Sequence, residues 1–259
     1  MTPDRPIAAD WLALRRTADS AARDQASALV DLVTADLPHR QITVLDVGAG
    51  TGANQAYLQP RLGRPSRWVL LDHDANLLLT APGDVRVVGG VDDVDRLVED
   101  HEIDLVTCSA LLDLLTEAEL RGLVSVLATR QVAGLFALSV DGTWQLDPPH
   151  PDDQALVAAF NVHQSREDRL GPRAPARLMS AATDLGMTVE SRSTPWRLTA
   201  DSNVLVARLL AERAAAAVEA DPALAARADS WLQVRQGQLA AGTLVLTVGH
   251  VDLAVVAAS

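Results

Sequence analysis

Residues 42–52 read ITVLDVGAGTG, an apolar run followed by three closely spaced glycines. An unbroken apolar run bounded by glycines is typical of a strand that is covered on both faces of a parallel sheet. Gly48, Gly50 and Gly52 suit a turn in which the backbone takes positive φ or a ligand approaches it closely. The residues that follow can begin a helix, whose free amide groups would face that ligand. The stretch therefore predicts a strand, a turn and a helix around a nucleotide-like ligand.

Two protein families use this arrangement. Gly48, Gly50 and Ala53 fit the dinucleotide fingerprint G-x-G-x-x-G/A. The whole run from Asp46, DVGAGTG, resembles motif I of the class I S-adenosylmethionine (SAM) dependent methyltransferases, in which an acidic residue precedes G-x-G-x-G. The dinucleotide fingerprint does not need that acid, so the methyltransferase resemblance is favoured. It implies SAM as the cofactor, bound by Asp46, Gly48, Ala49, Gly50 and Gly52.

A second apolar strand, residues 68–71, ends at Asp72. Asp72 lies 20 residues beyond Gly52, where either family places an acid that accepts hydrogen bonds from the ribose hydroxyls. We therefore predict Asp72 as the ribose ligand, with His73 beside it in the cofactor site. Asp74 is better suited to be the N-cap of the next helix.

The region after the third strand, residues 85–88, departs from the family pattern. The family often has an acid there that meets the adenine amino group, but Gly90 occupies the expected position. Asp92 or Asp93 could make this contact from further along, and helix capping explains both residues equally well. We include Asp92 among the predicted cofactor residues.

A fourth strand, residues 103–108, leads into a loop over residues 109–113 that resembles motif IV. Such loops face the ligand crevice of an open α/β sheet. Ser109 is predicted to line the methionine end of SAM. Asp113 is predicted to bind the ligand's ammonium group or the acceptor, and the alternative is that it caps the helix near Glu117.

The resemblance is strongest over residues 41–113, and the order of elements continues it along the chain. It implies an α/β fold: a Rossmann-like, doubly wound, seven-stranded sheet of order 3-2-1-4-5-7-6 with the last strand antiparallel. Helical periodicity over residues 10–37 predicts helices before the sheet, and two alanine-rich helices would form an insertion before the last strand. We expect one methyltransferase domain over residues 1–259, divided into N-terminal helices (1–40), a SAM-binding core (41–141) and an acceptor-side half (142–259) with a helical lid (201–241).

The N-terminal segment carries Trp11, Arg15, Arg16 and Arg23. In the family such helices often fold over the SAM pocket, and the alternative is a surface helix with solvated arginines. A later helix, predicted over residues 154–166, carries Phe160, His163 and Glu167.

His163 is the predicted catalytic base. Helical spacing would place Phe160, His163 and Glu167 on one face, with Glu167 positioned to orient the imidazole. A histidine can remove the proton of a hydroxyl acceptor. The alternative is that His163 is a hydrogen-bonded core residue.

Composition excludes several function classes. A net charge of −12 opposes nucleic-acid binding, which needs a basic surface. The absence of lysine excludes Schiff-base chemistry and a Walker A site, and the single Cys108 excludes an intrachain disulfide and a cysteine zinc cluster. We predict no metal site. No apolar run is long enough to span a membrane, and the first ten residues lack a signal-peptide pattern, so we expect a cytoplasmic protein.

The expected reaction is SAM-dependent methyl transfer to a small polar metabolite, at oxygen, by a protein that could be a homodimer. Two alternatives stay open. One is a nicotinamide- or flavin-dependent oxidoreductase that uses the glycine turn as a dinucleotide site. The other is a SAM-binding regulator without catalysis.

Overall fold

The first strand, β1 (Ile42–Val47), lies at the centre of the sheet, and all six of its residues are buried. The computed structural model describes residues 9–258. Successive residues of a strand point to opposite faces, and the core divides accordingly. Leu45 and Val47 belong to one hydrophobic cluster, and Ile42 and Val44 belong to another. Both faces of β1 are covered, as its apolar run predicts.

The sheet has eight strands in the part of the chain that the structure describes. Seven of them follow the order β3-β2-β1-β4-β5-β8-β6, and the short β7 pairs with β8. The first five are parallel, and β8 is antiparallel to its neighbours. After β1, the strands are β2 (Ser66–Asp72), β3 (Val85–Val88), β4 (Leu105–Ser109), β5 (Ala133–Asp147), β6 (Thr188–Ser193), β7 (Trp196–Leu198) and β8 (Val245–Val256).

This topology confirms the predicted order 3-2-1-4-5-7-6, because the predicted seventh strand is β8. The sequence analysis did not predict β7. It pairs with β8 from Trp196 to Leu198.

The helices occupy the connections between strands. Two of them precede the sheet, as predicted, and two more form the predicted insertion before the last strand. In chain order the helices are α1 (Ala9–Arg23), α2 (Ser27–Thr34), α3 (Ala53–Leu58), α4 (Ala75–Leu78), α5 (Val94–His101), α6 (Glu117–Arg130), α7 (Asp153–Gln164), α8 (Ala174–Asp184), α9 (Asn203–Ala220) and α10 (Ala225–Ala240). Within residues 9–258, no helix is both long and apolar enough to cross a membrane.

The fifth strand is longer than predicted. The apolar run over residues 132–140 predicts a strand that ends at Asp141-Gly142 and is followed by a proline-rich loop. Instead β5 runs to Asp147, with an irregular register against β8 between Val140 and Trp144. Gly142 has φ +82°, so this Asp-Gly pair forms a bulge inside a strand and not its end.

The insertion forms a helical layer beside this long strand. Helix α9 packs against α7 and α10. Its buried face joins Trp144 of β5, Trp231 of α10 and Leu246 of β8 in a third hydrophobic cluster. This layer also receives Trp11 and Leu14 of α1. The N-terminal helix and the insertion therefore meet on the same side of the molecule.

Candidate active site

The glycine turn after β1 wraps around the end of β2. The amide groups of Gly48 and Ala49 donate to the carbonyl oxygen of Leu71, at 2.8 and 3.0 Å. The amide of Gly50 donates to Oδ2 of Asp72 at 2.7 Å. Gly52 has φ +81°, and a Cβ there would lie 2.5 Å from Cδ of Pro82. The turn is therefore fixed to the neighbouring strand, and its glycines permit that close approach.

Asp72 holds two parts of the site together. Besides the amide of Gly50, its carboxylate accepts the amide of Asp74 at 2.9 Å through Oδ1. His73 Nδ1 lies 3.4 Å from the same oxygen, and the Asp72 side chain is 5% exposed. Each carboxylate oxygen can accept more than one hydrogen bond, so Asp72 can still accept a ligand hydroxyl. The predicted N-cap role of Asp74 is confirmed, because its Oδ1 accepts the amide of Asn76.

A cavity of about 290 Å³, here called the loop cavity, lies at the carboxyl ends of β1, β2 and β3. One side is formed by the glycine turn, Asp72 and the Gly89-Gly90 turn, and the other side is largely leucine. Its lining residues are Val47, Gly48, Leu71, Asp72, His73, Gly89, Gly90, Val91, Leu111, Leu114, Leu115, Glu119 and Arg169. These walls suit a flat apolar ring with polar groups at its edge.

A second space of about 100 Å³, the junction cavity, lies between the glycine turn and α1. Arg15 and Asp19 of α1 line it and form an ion pair, with Nε 2.8 Å from Oδ2. Burial raises the pKa of Asp19, against the opposing effect of Arg15. Ser109 and Gly50 also line this cavity. A cation and an acid side by side suit a ligand group that carries both charges.

The largest of these three spaces, about 550 Å³, is the helical cavity between α1, α7 and α9. Arg15, Ala110 and Leu114 line both this cavity and the junction cavity, and Leu114 also lines the loop cavity. The three spaces are therefore adjacent and share walls. The helical cavity is lined by Trp11, Arg15, Ala110, Asp113, Leu114, Leu138, Val140, Phe160, His163, Gln164, Trp196, Arg208, Leu209, Glu212, Arg213, Ala215, Ala216, Glu219 and His250.

The structure separates the predicted cofactor residues into two groups. Gly48, Gly50, Asp72, His73 and Ser109 line the loop or junction cavity. The other predicted residues, Asp46, Ala49, Gly52 and Asp92, do not appear in the lining of either cavity.

Three residues of this second group, Ala49, Gly52 and Asp92, lie near the two cavities without lining them. Ala49 and Gly52 are buried parts of the turn, so they shape it without forming a cavity wall. Asp92 is exposed, while Gly89, Gly90 and Val91 line the loop cavity. An adenine contact by Asp92 stays a prediction.

The side chain of Asp46 lies beneath the glycine turn. It is fully buried, and its Oδ1 accepts Nδ2 of Asn54 at 2.6 Å, while Oδ2 has no partner among the described residues. Burial raises the pKa of Asp46 to about 7, against a smaller lowering by Asn54 and Arg23. Asn54, which the sequence did not single out, lines the junction cavity. The Asp46 side chain therefore supports α3 through Asn54, and a contact of Asp46 with the cofactor stays a prediction.

His163 lies at the helical cavity, but its predicted partner is wrong. Helix α7 ends at Gln164, and Glu167 follows with φ +57°, off the helical face. The ring of His163 instead meets Glu219 of α9, with Nε2 3.0 Å from Oε2. The proposed base therefore has an acidic partner, supplied by the insertion.

Asp113 also lines the helical cavity and is half-buried. Burial raises its pKa, and Arg15 and Arg169 act in the opposite direction. The capping alternative for Asp113 is wrong, because Thr116 caps α6: its Oγ1 accepts the amide of Glu119 at 3.3 Å. A role toward the acceptor stays a prediction.

His250 is a cavity residue that the sequence analysis missed. It lies on β8, is 2% exposed, and has a ring centroid 4.8 Å from that of Trp196. The Trp196 ring also contacts Arg15, whose guanidinium carbon lies 5.2 Å from the ring centroid. Burial, followed by the charges of Arg15 and Arg213, lowers the pKa of His250 to about 3. Its imidazole is therefore neutral at physiological pH.

Comparisons with known proteins are informative about the fold. No protein-family model matches the chain, and no curated protein matches it significantly. Among solved structures, a cyclopropane-fatty-acyl-phospholipid synthase-like protein from Lactobacillus casei is similar over 95% of this chain and 94% of its own, at 16% identity and a TM-score of 0.50.

Two further solved structures are similar at lower scores. A cyclopropane synthase from Mycobacterium tuberculosis covers 88% of this chain and 83% of its own, at 14% identity and a TM-score of 0.47. A SAM-dependent methyltransferase from Archaeoglobus fulgidus covers 71% and 77%, at 16% identity and a TM-score of 0.45. Together with the strand order, the Lactobacillus casei match shows a Rossmann-like fold of the methyltransferase type.

Proposed function

We propose that this protein transfers a methyl group from SAM to a small acceptor molecule. The observation that carries the proposal is the row of three adjacent cavities that begins at the glycine turn and Asp72. Leu114 lines all three, and Arg15 and Ala110 line the last two. A cofactor that ends in the junction cavity would meet an acceptor in the helical cavity.

The residues present fit SAM. The apolar loop cavity suits the adenine ring, and the Asp72 carboxylate can accept the ribose hydroxyls. The Arg15–Asp19 pair suits a zwitterionic amino-acid end, with Arg15 for its carboxylate and Asp19 for its ammonium group. A dinucleotide would instead bring a diphosphate near Asp19, and like charges repel. This difference favours SAM over the nicotinamide and flavin alternatives.

We propose an oxygen atom as the methyl acceptor. SAM supplies an electrophilic methyl group on a sulfonium, so the main work of the chain is to position the acceptor. The hydroxyl proton must go to a base, and His163 and Asp113 both line the helical cavity. His250 also lines this cavity, but burial lowers its pKa to about 3, so its neutral imidazole suits a hydrogen-bond acceptor for the hydroxyl and not a general base.

The acceptor that we propose is a small molecule, since the helical cavity is about 550 Å³. The cytoplasmic location, the single domain and the possible homodimer stay proposals from the sequence.

Titration calorimetry tests the proposal directly. We expect SAM and S-adenosylhomocysteine (SAH) to bind with micromolar affinity and NAD to show no binding. Asp72→Ala should weaken SAH binding by about 1.5 to 3 kcal/mol, the range for loss of a charged hydrogen-bond partner, because Asp72 meets the ribose and fixes the turn.

Asp74→Ala is a matched control on the same turn. It removes a helix cap and leaves the Asp72 carboxylate in place, so SAH affinity should hold. Preferential binding of NAD would overturn the assignment, and an Asp72→Ala variant with unchanged SAH affinity would assign the ribose to another residue.

A further inference from the structure

Arg213 of α9 is a buried cation without an acidic partner. It is 8% exposed and lines the helical cavity, and its Nη1 is buried without a hydrogen bond. Among residues 9–258, it forms no hydrogen bond or ion pair. Burial alone lowers its pKa to about 10, so it is still charged at physiological pH.

The rings around Arg213 compensate its charge only in part. Its guanidinium carbon lies 5.0 Å from the ring centroid of Trp144 and 4.8 Å from that of Phe160. The free energy that such cation–π contacts contribute is smaller than the free-energy cost of moving an ion out of water. The positive charge of Arg213 is therefore not balanced by an acidic group among the described residues.

The other cavity-lining arginines are matched by acids. Arg15 pairs with Asp19 at 2.8 Å. Arg208 pairs with Glu212 at 2.7 Å and with Asp10 at 3.0 Å. Arg213 thus differs from its neighbours within one cavity, although the chain as a whole carries a net charge of −12.

Arg213 does not line the junction cavity, where the amino-acid end of the cofactor is proposed to bind. The shared wall with the junction cavity is formed by Arg15, Ala110 and Leu114, and Arg213 does not belong to it. Arg213 also lines a small cavity of about 40 Å³, together with Gly142 and Trp144. A group bound to Arg213 would therefore anchor a molecule whose other end approaches the junction.

We infer that the acceptor carries a single negative charge, a carboxylate, which binds Arg213, and an apolar body, which contacts Trp11, Phe160 and Trp196. This inference rests on the proposed methyl transfer and specifies its substrate class. One uncompensated cation matches one negative charge, whereas a second charge would stay buried and unpaired. Planar bidentate pairing with a carboxylate is the favoured geometry of a guanidinium.

The test uses benzoate as the probe, because it joins one carboxylate to a flat ring. The melting temperature of the SAH-saturated protein is measured with millimolar benzoate, benzamide or inorganic phosphate at constant ionic strength. We expect benzoate to stabilise the protein and benzamide and phosphate not to do so. Arg213→Met should weaken benzoate binding by about tenfold or more, and its SAH affinity should equal that of the wild type.

Arg227→Met is the control, since it removes an arginine of the same helical insertion whose charge is already paired, with Asp152 at 2.7 Å, and which does not line the helical cavity. It should keep benzoate binding. Crystals of the wild-type SAH complex soaked with 4-bromobenzoate add a measurement that needs no variant: the carboxylate should lie within hydrogen-bond distance of Arg213.

The possible outcomes distinguish a failure of the proposed methyl transfer from a failure of the inferred carboxylate. If SAH itself does not bind, the proposed function fails. If SAH binds but benzoate has no effect, acts equally on Arg213→Met, or is outcompeted by phosphate, the inferred carboxylate is wrong and methyl transfer still stands. Bromobenzoate located away from Arg213 would also overturn the inference.

Discussion

Gly50→Val should abolish measurable SAH binding while the sheet stays folded. Gly50 lines the junction cavity at φ +54°, and its amide donates to Asp72. A Cβ at this position would already lie 3.3 Å from Cδ1 of Leu12, and the valine methyl groups would extend further into the space of the ligand. We expect an affinity loss of more than about 100-fold, equivalent to about 3 kcal/mol.

Gly63→Val is the control for backbone strain. Gly63 has φ +65° in an exposed turn, and a Cβ there would have no atom within 4 Å. Both variants should lose similar stability, because a side chain at positive φ costs about 1 to 2 kcal/mol. Calorimetry with SAH should distinguish them: Gly63→Val should bind normally. Retained affinity in Gly50→Val would mean that the ligand does not cross the glycine turn.

Asp46→Asn should make the folded protein less sensitive to alkaline pH. The pKa of Asp46 is about 7 in the folded protein and about 3.9 in an unfolded chain. Between these values the folded state keeps a proton that the unfolded state releases, so the stability of the wild type falls as pH rises. The loss from this group should reach about 3 kcal/mol between pH 5 and pH 8.

Asparagine keeps the oxygen that accepts Asn54 and does not titrate. Denaturant unfolding of both proteins at pH 5 and pH 8 measures the effect. The stability of Asp46→Asn relative to the wild type should rise by about 3 kcal/mol over this range. Parallel stability curves would show that Asp46 is already ionised in the fold at pH 5, and that a partner compensates its charge.

The centre of the sheet was predictable because its information is local. The apolar run of β1, the glycines after it and Asp72 at the end of β2 each follow from short patterns. The parallel arrangement then brings Gly50 and Asp72 to the same edge. These residues form the part of the candidate site that the sequence located.

The acceptor side depends on contacts between distant segments. His163 was selected by spacing along one helix, but its partner Glu219 is on another helix, 56 positions away. Arg213 did leave a signal: it continues the apolar face of Val206, Leu209 and Ala217, where a cation is unusual. Interpreting it required the cavity, which forms only when α1, α7 and α9 come together.

The bulge in β5 shows a different limit. By local sequence alone, Asp-Gly followed by prolines indicates the end of a strand. In the structure, β8 supplies antiparallel partners for the continuing strand from Trp144 to Asp147. Tertiary pairing thus outweighed the local turn preference.

A crystal structure of the SAH complex tests the central claim most directly. The adenine should lie in the loop cavity, the ribose hydroxyls on Asp72, and the amino-acid end at Arg15 and Asp19. The sulfur should then face the helical cavity past Ala110 and Leu114. SAH bound outside the loop and junction cavities, or bound with its sulfur closed off from the helical cavity, would contradict methyl transfer at this site.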